Sequence, residues 1–234
     1  MSTIKKILRK MIFQEKADSE SYIKYLRQKG IKIGERTKFF APNMTHIDET
    51  RPWLVEIGDD VQITAGVTIL THGYDWAVLK KVYGEILGSS GGGGKIGNNV
   101  FIGMHTTILK GTNIGDNVII GANSLVNKDI PSNCVAAGNP IKIIMPLDTY
   151  YMKRKERQTR EVTELVHKYR ECYGKEPDEK ALHEFFWLFS DGDSQLTETW
   201  KRMMTLVGNE KESYDALRAN KKKYENLDKF LKEI

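Results

Sequence analysis

At 234 residues, with 40% hydrophobic and 29% charged side chains, the chain has the bulk for one generous globular domain or a domain with a sizeable appendage. No apolar run approaches the ~18 residues of a membrane span, and the N-terminus lacks the apolar core and cleavage site of a signal peptide. The net charge of +5 is confined to residues 1–30, with eight Lys/Arg against three Asp/Glu, while residues 31–146 and 147–234 balance at ten and eighteen of each sign, which excludes a general nucleic-acid surface.

In chain order, Ile4, Ile7, Leu8, Met11, Ile12, Tyr22, Ile23 and Leu26 fall near helical spacing and predict one amphipathic helix over residues 3–29, with Gly30 as its stop. Lys5, Lys6, Arg9 and Lys10 occupy the other positions of its first turns. Residues 1–30 are read as a helix capping the next domain. The same faces also suit peripheral contact with an anionic membrane.

From Ile96 the period changes. An aliphatic residue recurs every six positions at Ile96, Ile102, Ile108, Ile114, Ile120 and Val126. Val100, Thr106, Thr112, Val118 and Ser124, compact residues, stand four places after the first five. Earlier copies begin at Ile57, Ile63 and, more faintly, Ile33. A period of six is neither the 3.6 of a helix nor the 2 of a strand, and fits a solenoid of short parallel strands whose aliphatic positions stack in one column. Gly, Asn and Asp gather at the intervening positions, where positive φ is least costly for them. The expected domain spans residues 31–146 and extrudes a loop over residues 73–94, which carries Tyr74, Asp75, Trp76 and Tyr83 and ends in a glycine run that reads as a mobile hinge.

From Leu147 helical spacing returns. Apolar sets around Val162–Tyr169, Leu182–Phe189, Trp200–Val207 and Leu217–Leu231 predict four helices in an all-α extension over residues 147–234. The two cysteines, Cys134 and Cys172, show no metal spacing and are too few for a disulfide framework, so a cytoplasmic location is expected.

The middle zone resembles the hexapeptide-repeat acetyltransferases, closest to the galactoside, maltose and capsular-sugar O-acetyltransferase branch. The residues that carry the likeness are T-H-G-Y-D-W at 71–76, I-G-N-N-V-F-I-G at 96–103 and N-K-D-I-P-S-N-C-V-A-A-G-N-P-I-K at 127–142. The resemblance implies a left-handed parallel β-helix, although β crossovers are right-handed in about 98% of cases. It further implies a homotrimer with sites between subunits, acetyl-CoA as donor, and no metal.

An alcohol is a poor nucleophile at neutral pH and needs a base within hydrogen-bond reach. His72 stands where the hexad pattern breaks, and it matches the family's catalytic histidine. The resemblance places an Asn on the acceptor side; Ala41 aligns there and Asn43 follows, facing the same way if that segment is extended. Either Asp48 or Glu49 is placed to hold the sugar or to orient His72. Asn43, Asp48, Tyr74 and Trp76 are the expected acceptor contacts. Gly103, Ala122, Asn127, Lys128 and Lys142 are carried over as donor contacts, the glycine and alanine giving room for a pantetheine arm and the lysines meeting phosphates.

These readings predict an O-acetyltransferase acting on a sugar hydroxyl, in surface-polysaccharide synthesis. Acetylation of an amino-sugar nucleotide or of a xenobiotic stays open, as does a non-catalytic scaffold. A zinc site of His46, His72 and His105 is disfavoured by their spacing.

Overall fold

The computed structural model describes residues 3–234; Met1, Ser2 and the side chains of Thr3 and Lys6, all within the expected N-terminal helix, lie outside the described residues. The chain divides into two compact units, Met1–Tyr150 and Tyr151–Ile234.

In the first unit the six-residue period becomes three parallel sheets that the chain visits in rotation. The first sheet takes Lys32–Ile33, Val55–Ile57 and Gly94–Ile96, continued by single bridges to Ile114 and Ile130. The second takes Lys38–Phe39, Gln62–Ile63, Val100–Ile102, Val118–Ile120 and Cys134–Ala137, with Lys142–Pro146 added antiparallel at its edge. The third takes His46–Ile47, Thr68–Ile69, Thr107–Ile108 and Leu125–Val126.

Register puts like on like. Ile33, Ile57 and Ile96 are paired in the first sheet, Phe39, Ile63, Ile102 and Ile120 in the second, and Ile47, Ile69, Ile108 and Val126 in the third. All belong to one buried cluster. Removing one such isoleucine side chain would cost about 2–5 kcal/mol. The compact fourth-position residues Val100, Thr106, Thr112, Val118 and Ser124 are buried with them.

The corners explain the polar residues of the repeat. Asn99, Asn117 and Asn133 hold left-handed φ values of 53°, 56° and 60°, a conformation Asn tolerates far better than β-branched residues. Their side chains form a ladder, Asn99 Nδ2 to Asn117 Oδ1 at 2.9 Å and Asn117 Nδ2 to Asn133 Oδ1 at 3.0 Å. Beside it the Asn98 amide donates to Asp116 Oδ1 at 2.6 Å, so a side chain completes the bonding of a corner that no sheet reaches.

The single helix expected over residues 3–29 is two. Helix α1 (Thr3–Phe13) ends at a 3-10 turn, Gln14–Ala17, and α2 (Ser19–Lys29) begins afresh because Asp18 accepts the Ser21 amide at 2.8 Å as an N-cap. Gly30 stops α2 with φ 103°. Tyr22 and Leu26 of α2 are fully buried in the sheet core, where Tyr22 meets Phe39 edge-on at 5.1 Å. In contrast, α1 leaves its whole apolar face in solvent.

Residues 73–94 are more ordered than a bare loop. They hold helix α3 (Trp76–Tyr83), and His72–Gly73 pairs antiparallel with Ser89–Ser90. Within the glycine run expected as a hinge, Gly92 has open space around it and Gly91 is tightly packed. A Cβ on Gly91 would lie 2.6 Å from the Lys110 carbonyl carbon, so only glycine passes there.

Beyond the sheets come α4 (Leu147–Tyr173), a 3-10 segment His183–Leu188, α5 (Glu198–Met204), α6 (Glu210–Ala219) and α7 (Leu227–Glu233). The second unit has its own core around Val162, Val166, Phe186, Trp200 and Phe230. Two of the four expected helices differ. The Leu182–Phe189 set winds mostly as 3-10, and the last set splits at Asn220, whose amide is drawn to the Trp187 and Ser190 carbonyls at 2.8 and 2.7 Å. No helix among the described residues is long and apolar enough to cross a membrane.

Candidate active site

His72 follows the third-sheet strand Thr68–Ile69 at the point where the chain leaves the wall. One circuit earlier, Asp48 follows Ile47, and the Ile47–Ile69 register brings the two strand ends together. The Asp48 amide donates to the Ile69 carbonyl at 2.9 Å. Its carboxylate then reaches His72, with Oδ2 at 2.5 Å from Nδ1.

Asp48 is 6% exposed and saturated. Oδ1 accepts from the Thr50 amide at 3.0 Å and hydroxyl at 2.7 Å; Oδ2 accepts from the Thr71 amide at 3.1 Å and hydroxyl at 2.5 Å, besides His72. Burial pushes its pKa upward, but the hydrogen bonds from Thr71 and Thr50 outweigh that and hold the carboxyl well below the usual range. An ionised carboxylate only accepts, so the proton of a neutral imidazole lies on Nδ1. Nε2 carries the lone pair and has no hydrogen-bond partner among the described residues. The arrangement is an imidazole whose tautomer is fixed from behind by a carboxylate.

Aromatic rings stand beside it. Tyr74 meets the imidazole edge-on at 4.6 Å, Trp76 meets Tyr74 at 6.2 Å, and the Lys80 ammonium lies 5.2 Å from the centre of the Trp76 ring. Tyr74 is 66% exposed and open to a ligand. Behind Thr71, Leu54, Ile69, Ile96, Ile108 and Gly92 line a narrow apolar crevice that opens to solvent.

The acceptor residues expected from the sequence therefore divide. Tyr74 and Trp76 join His72. Asp48 joins it too, but as the group that orients the imidazole, because five donors leave its oxygens nothing to offer a sugar. Asn43 does not join them. Its segment is a 3-10 turn, Pro42–Met44, not extended, at the corner that precedes strand His46–Ile47, whereas His72 belongs to the corner that follows this sheet. Glu49 accepts from the Tyr25 hydroxyl at 2.7 Å, an anchor that pushes the tyrosine up to about 12 and ties α2 to the segment beside the site.

The donor residues divide as well. Asn127 and Lys128 are exposed at the corner column of His72, two circuits further along. Gly103 and Ala122 occupy the opposite end of the third sheet, where a Cβ on Gly103 would be 2.5 Å from the Ala122 amide nitrogen. Lys142 is exposed on the antiparallel edge strand. One chain does not bring these residues into a single cleft with His72.

Sequence reasoning missed Thr50 and Thr71 as the clamp on Asp48, and Arg51, which donates to the Ser89 carbonyl at 3.1 Å and pins the returning segment. Lys110 reaches the Ser89 hydroxyl from the next circuit. Cys134 is buried in its strand. Among the described residues no three His, Cys, Asp or Glu side chains gather as a metal site; His105 holds a left-handed corner with φ 57°.

Residues 93–128 match the family described as Bacterial transferase hexapeptide (six repeats). Protein CapG of Staphylococcus aureus is 38% identical over 128 residues, which are 55% of this chain and 73% of CapG. Galactoside O-acetyltransferase of Escherichia coli K12 is also 38% identical over 128 residues, 53% of this chain and 59% of that protein. This chain thus spans under two thirds of the length of the galactoside enzyme. Among solved structures, a galactoside acetyltransferase in complex with coenzyme A is 31% identical, over 62% of this chain and 81% of that one, with a TM-score of 0.39. With the hexad register, the matched repeat family and 38% identity over 73% of CapG together, the chain belongs to the hexapeptide-repeat acetyltransferases.

Proposed function

We propose that this protein transfers the acetyl group of acetyl-CoA to a sugar hydroxyl, with His72 as general base and Asp48 as its positioning residue. The observation that carries the reading is the 2.5 Å contact from His72 Nδ1 to a carboxylate already clamped by two threonines. In the reaction, Nε2 takes the hydroxyl proton as the oxygen attacks the thioester carbon. The carbon–sulfur bond then breaks and the same proton passes to the departing thiolate, so the enzyme ends as it began. Tyr74 and Trp76 offer ring faces to the sugar beside the base. The likeness to a galactoside O-acetyltransferase favours a glycan acceptor.

The donor residues support an assembly. The three-sheet circuit is read as a closed left-handed β-helix, and three copies are read as a homotrimer. One copy then lends His72, Asn127 and Lys128 to a cleft, while its neighbour lends the wall at the exposed Ala122; Gly103 is buried beneath it, where its missing Cβ lets the circuits stack. A small residue at 122 suits a pantetheine arm, and Lys128 and Lys142 suit the CoA phosphates. The reaction is placed in the cytoplasm, where the exposed Cys172 thiol stays reduced.

The test is a panel of sugars and amino-sugar nucleotides incubated with acetyl-CoA and followed by thiol release and product mass. At least one hydroxyl acceptor should gain an acetyl group, and His72→Ala should slow transfer by ~10²–10⁴ while binding CoA normally. Transfer to amines alone would sink the hydroxyl assignment; an alanine variant at native speed would sink the base.

A further inference from the structure

Helix α1 presents a surface that neither the fold nor the proposed reaction uses. Ile4, Ile7, Leu8, Met11 and Ile12 are each more than half exposed, from 51% for Leu8 to 73% for Met11. Their spacing puts all five on one stripe of a helix about 16 Å long. Leaving a stripe of that kind in water is unusual, because folded chains rarely expose contiguous large apolar side chains without a use for them.

The flanks of the stripe are cationic. The helix sequence, TIKKILRKMIF, contains no acidic residue. Lys5 and Lys10 are exposed, and Arg9 is turned back to donate to the Ala17 carbonyl at 2.5 Å. The whole positive excess of the protein lies in residues 1–30.

We infer that α1 docks on an anionic lipid bilayer, lying in the interface with its apolar stripe among the acyl chains and Lys5 and Lys10 at the headgroups. Three observations converge on that occupant. The stripe is continuous, its borders carry only positive charge, and the sheets behind it are electrically balanced, with ten charges of each sign over residues 31–146. A second copy of α1 laid against the first would bring like charges together and have nothing acidic to meet them. A bilayer rich in acidic headgroups satisfies both faces at once.

The anchor of α1 is built for such a role. The 3-10 turn that follows it is fixed to the first circuit, with Lys16 Nζ donating to the Thr45 carbonyl at 2.9 Å and α2 buried on the core. The docked helix is therefore held to the end of the molecule that carries Asp48 and His72, which belong to the first and second circuits.

The experiment is co-sedimentation of the full chain with phosphatidylcholine vesicles and with vesicles holding about 30% phosphatidylglycerol, at about 0.1 M and 0.5 M salt. Binding should be selective for the acidic vesicles and should weaken at the higher salt. Leu8→Glu combined with Ile12→Glu, and separately Lys5→Glu combined with Lys10→Glu, should each reduce it at least ~tenfold. Both pairs are exposed, so circular dichroism and sedimentation velocity should match the parent. Three results overturn the inference: no sedimentation with acidic vesicles at the lower salt, binding undiminished in both variants, or a smaller oligomer in the Leu8/Ile12 variant, which would make the stripe a contact between copies.

Discussion

Five donors converge on one carboxylate at Asp48, and that excess decides what the residue does. A carboxylate has about four lone-pair directions, so its capacity is spent before any substrate arrives. Replacing it by asparagine keeps the shape but turns one acceptor into a donor. The imidazole would then favour the tautomer with its proton on Nε2, where it is useless as a base. Asp48→Asn should lower kcat by ~10²–10⁴ with little change in KM for either substrate, as steady-state kinetics would reveal. Acid stability should respond too. Because the folded pKa of Asp48 is depressed, the unfolded chain binds the extra proton first, so the stability this group lends is full above pH ~4 and drains away as pH falls below it. Thermal melts between about pH 5 and 3 should therefore fall more steeply for the parent than for Asp48→Asn; parallel curves would remove the linkage.

At the scale of elements, the hexad columns were legible because each aliphatic residue has the same inward task in every circuit, and the buried register follows them through Ile57, Ile96 and Ile114. His72 was legible for the complementary reason, as the place where the repetition stops. The role of Asp48 was legible only as one of several alternatives, since Asp48 and Glu49 were both placed to hold the sugar or to orient His72. The Pro42–Met44 turn makes the corner between Phe39 and His46 two residues longer than its counterpart between Ile63 and Thr68, which hides the alignment of Ile47 with Ile69 and so of Asp48 with the base. The break between α1 and α2 was passed over, although the apolar positions lapse between Phe13 and Tyr22 and Asp18 followed by Ser21 supplies a cap that restarts the helix. The corner ladder offers a test of what the repeat's asparagines do. Asn117→Ala should cost about 1–3 kcal/mol, from the left-handed φ of 56° together with two lost side-chain hydrogen bonds. Asn117→Gly should recover the conformational part and leave only the ladder loss, so its melting temperature should lie between those of the parent and the alanine variant. Equal melting temperatures for the two variants would show that backbone geometry is not what the asparagine supplies.

For the whole molecule, the division of the donor residues between two corners of the third sheet has a consequence that a single chain cannot display. If a working cleft joins the His72 corner of one copy to the Ala122 wall of its neighbour, damage to either half kills every site in a uniform assembly. His72→Ala removes the proposed base. Ala122→Trp fills the exposed wall position with an indole and should exclude the donor without disturbing the buried columns. Each variant alone should be inactive. Unfolded together in equal amounts and reassembled, they should regain activity, because some clefts then pair an intact base from one parent with an intact wall from the other. Random association in a closed three-fold ring predicts intact clefts at about one quarter of all positions, and thus about a quarter of the parent's rate per site. No recovery after mixing, in assemblies shown by mass to contain both variants, would place base and wall in the same copy, and the route of the donor across the surface would have to be drawn within one chain.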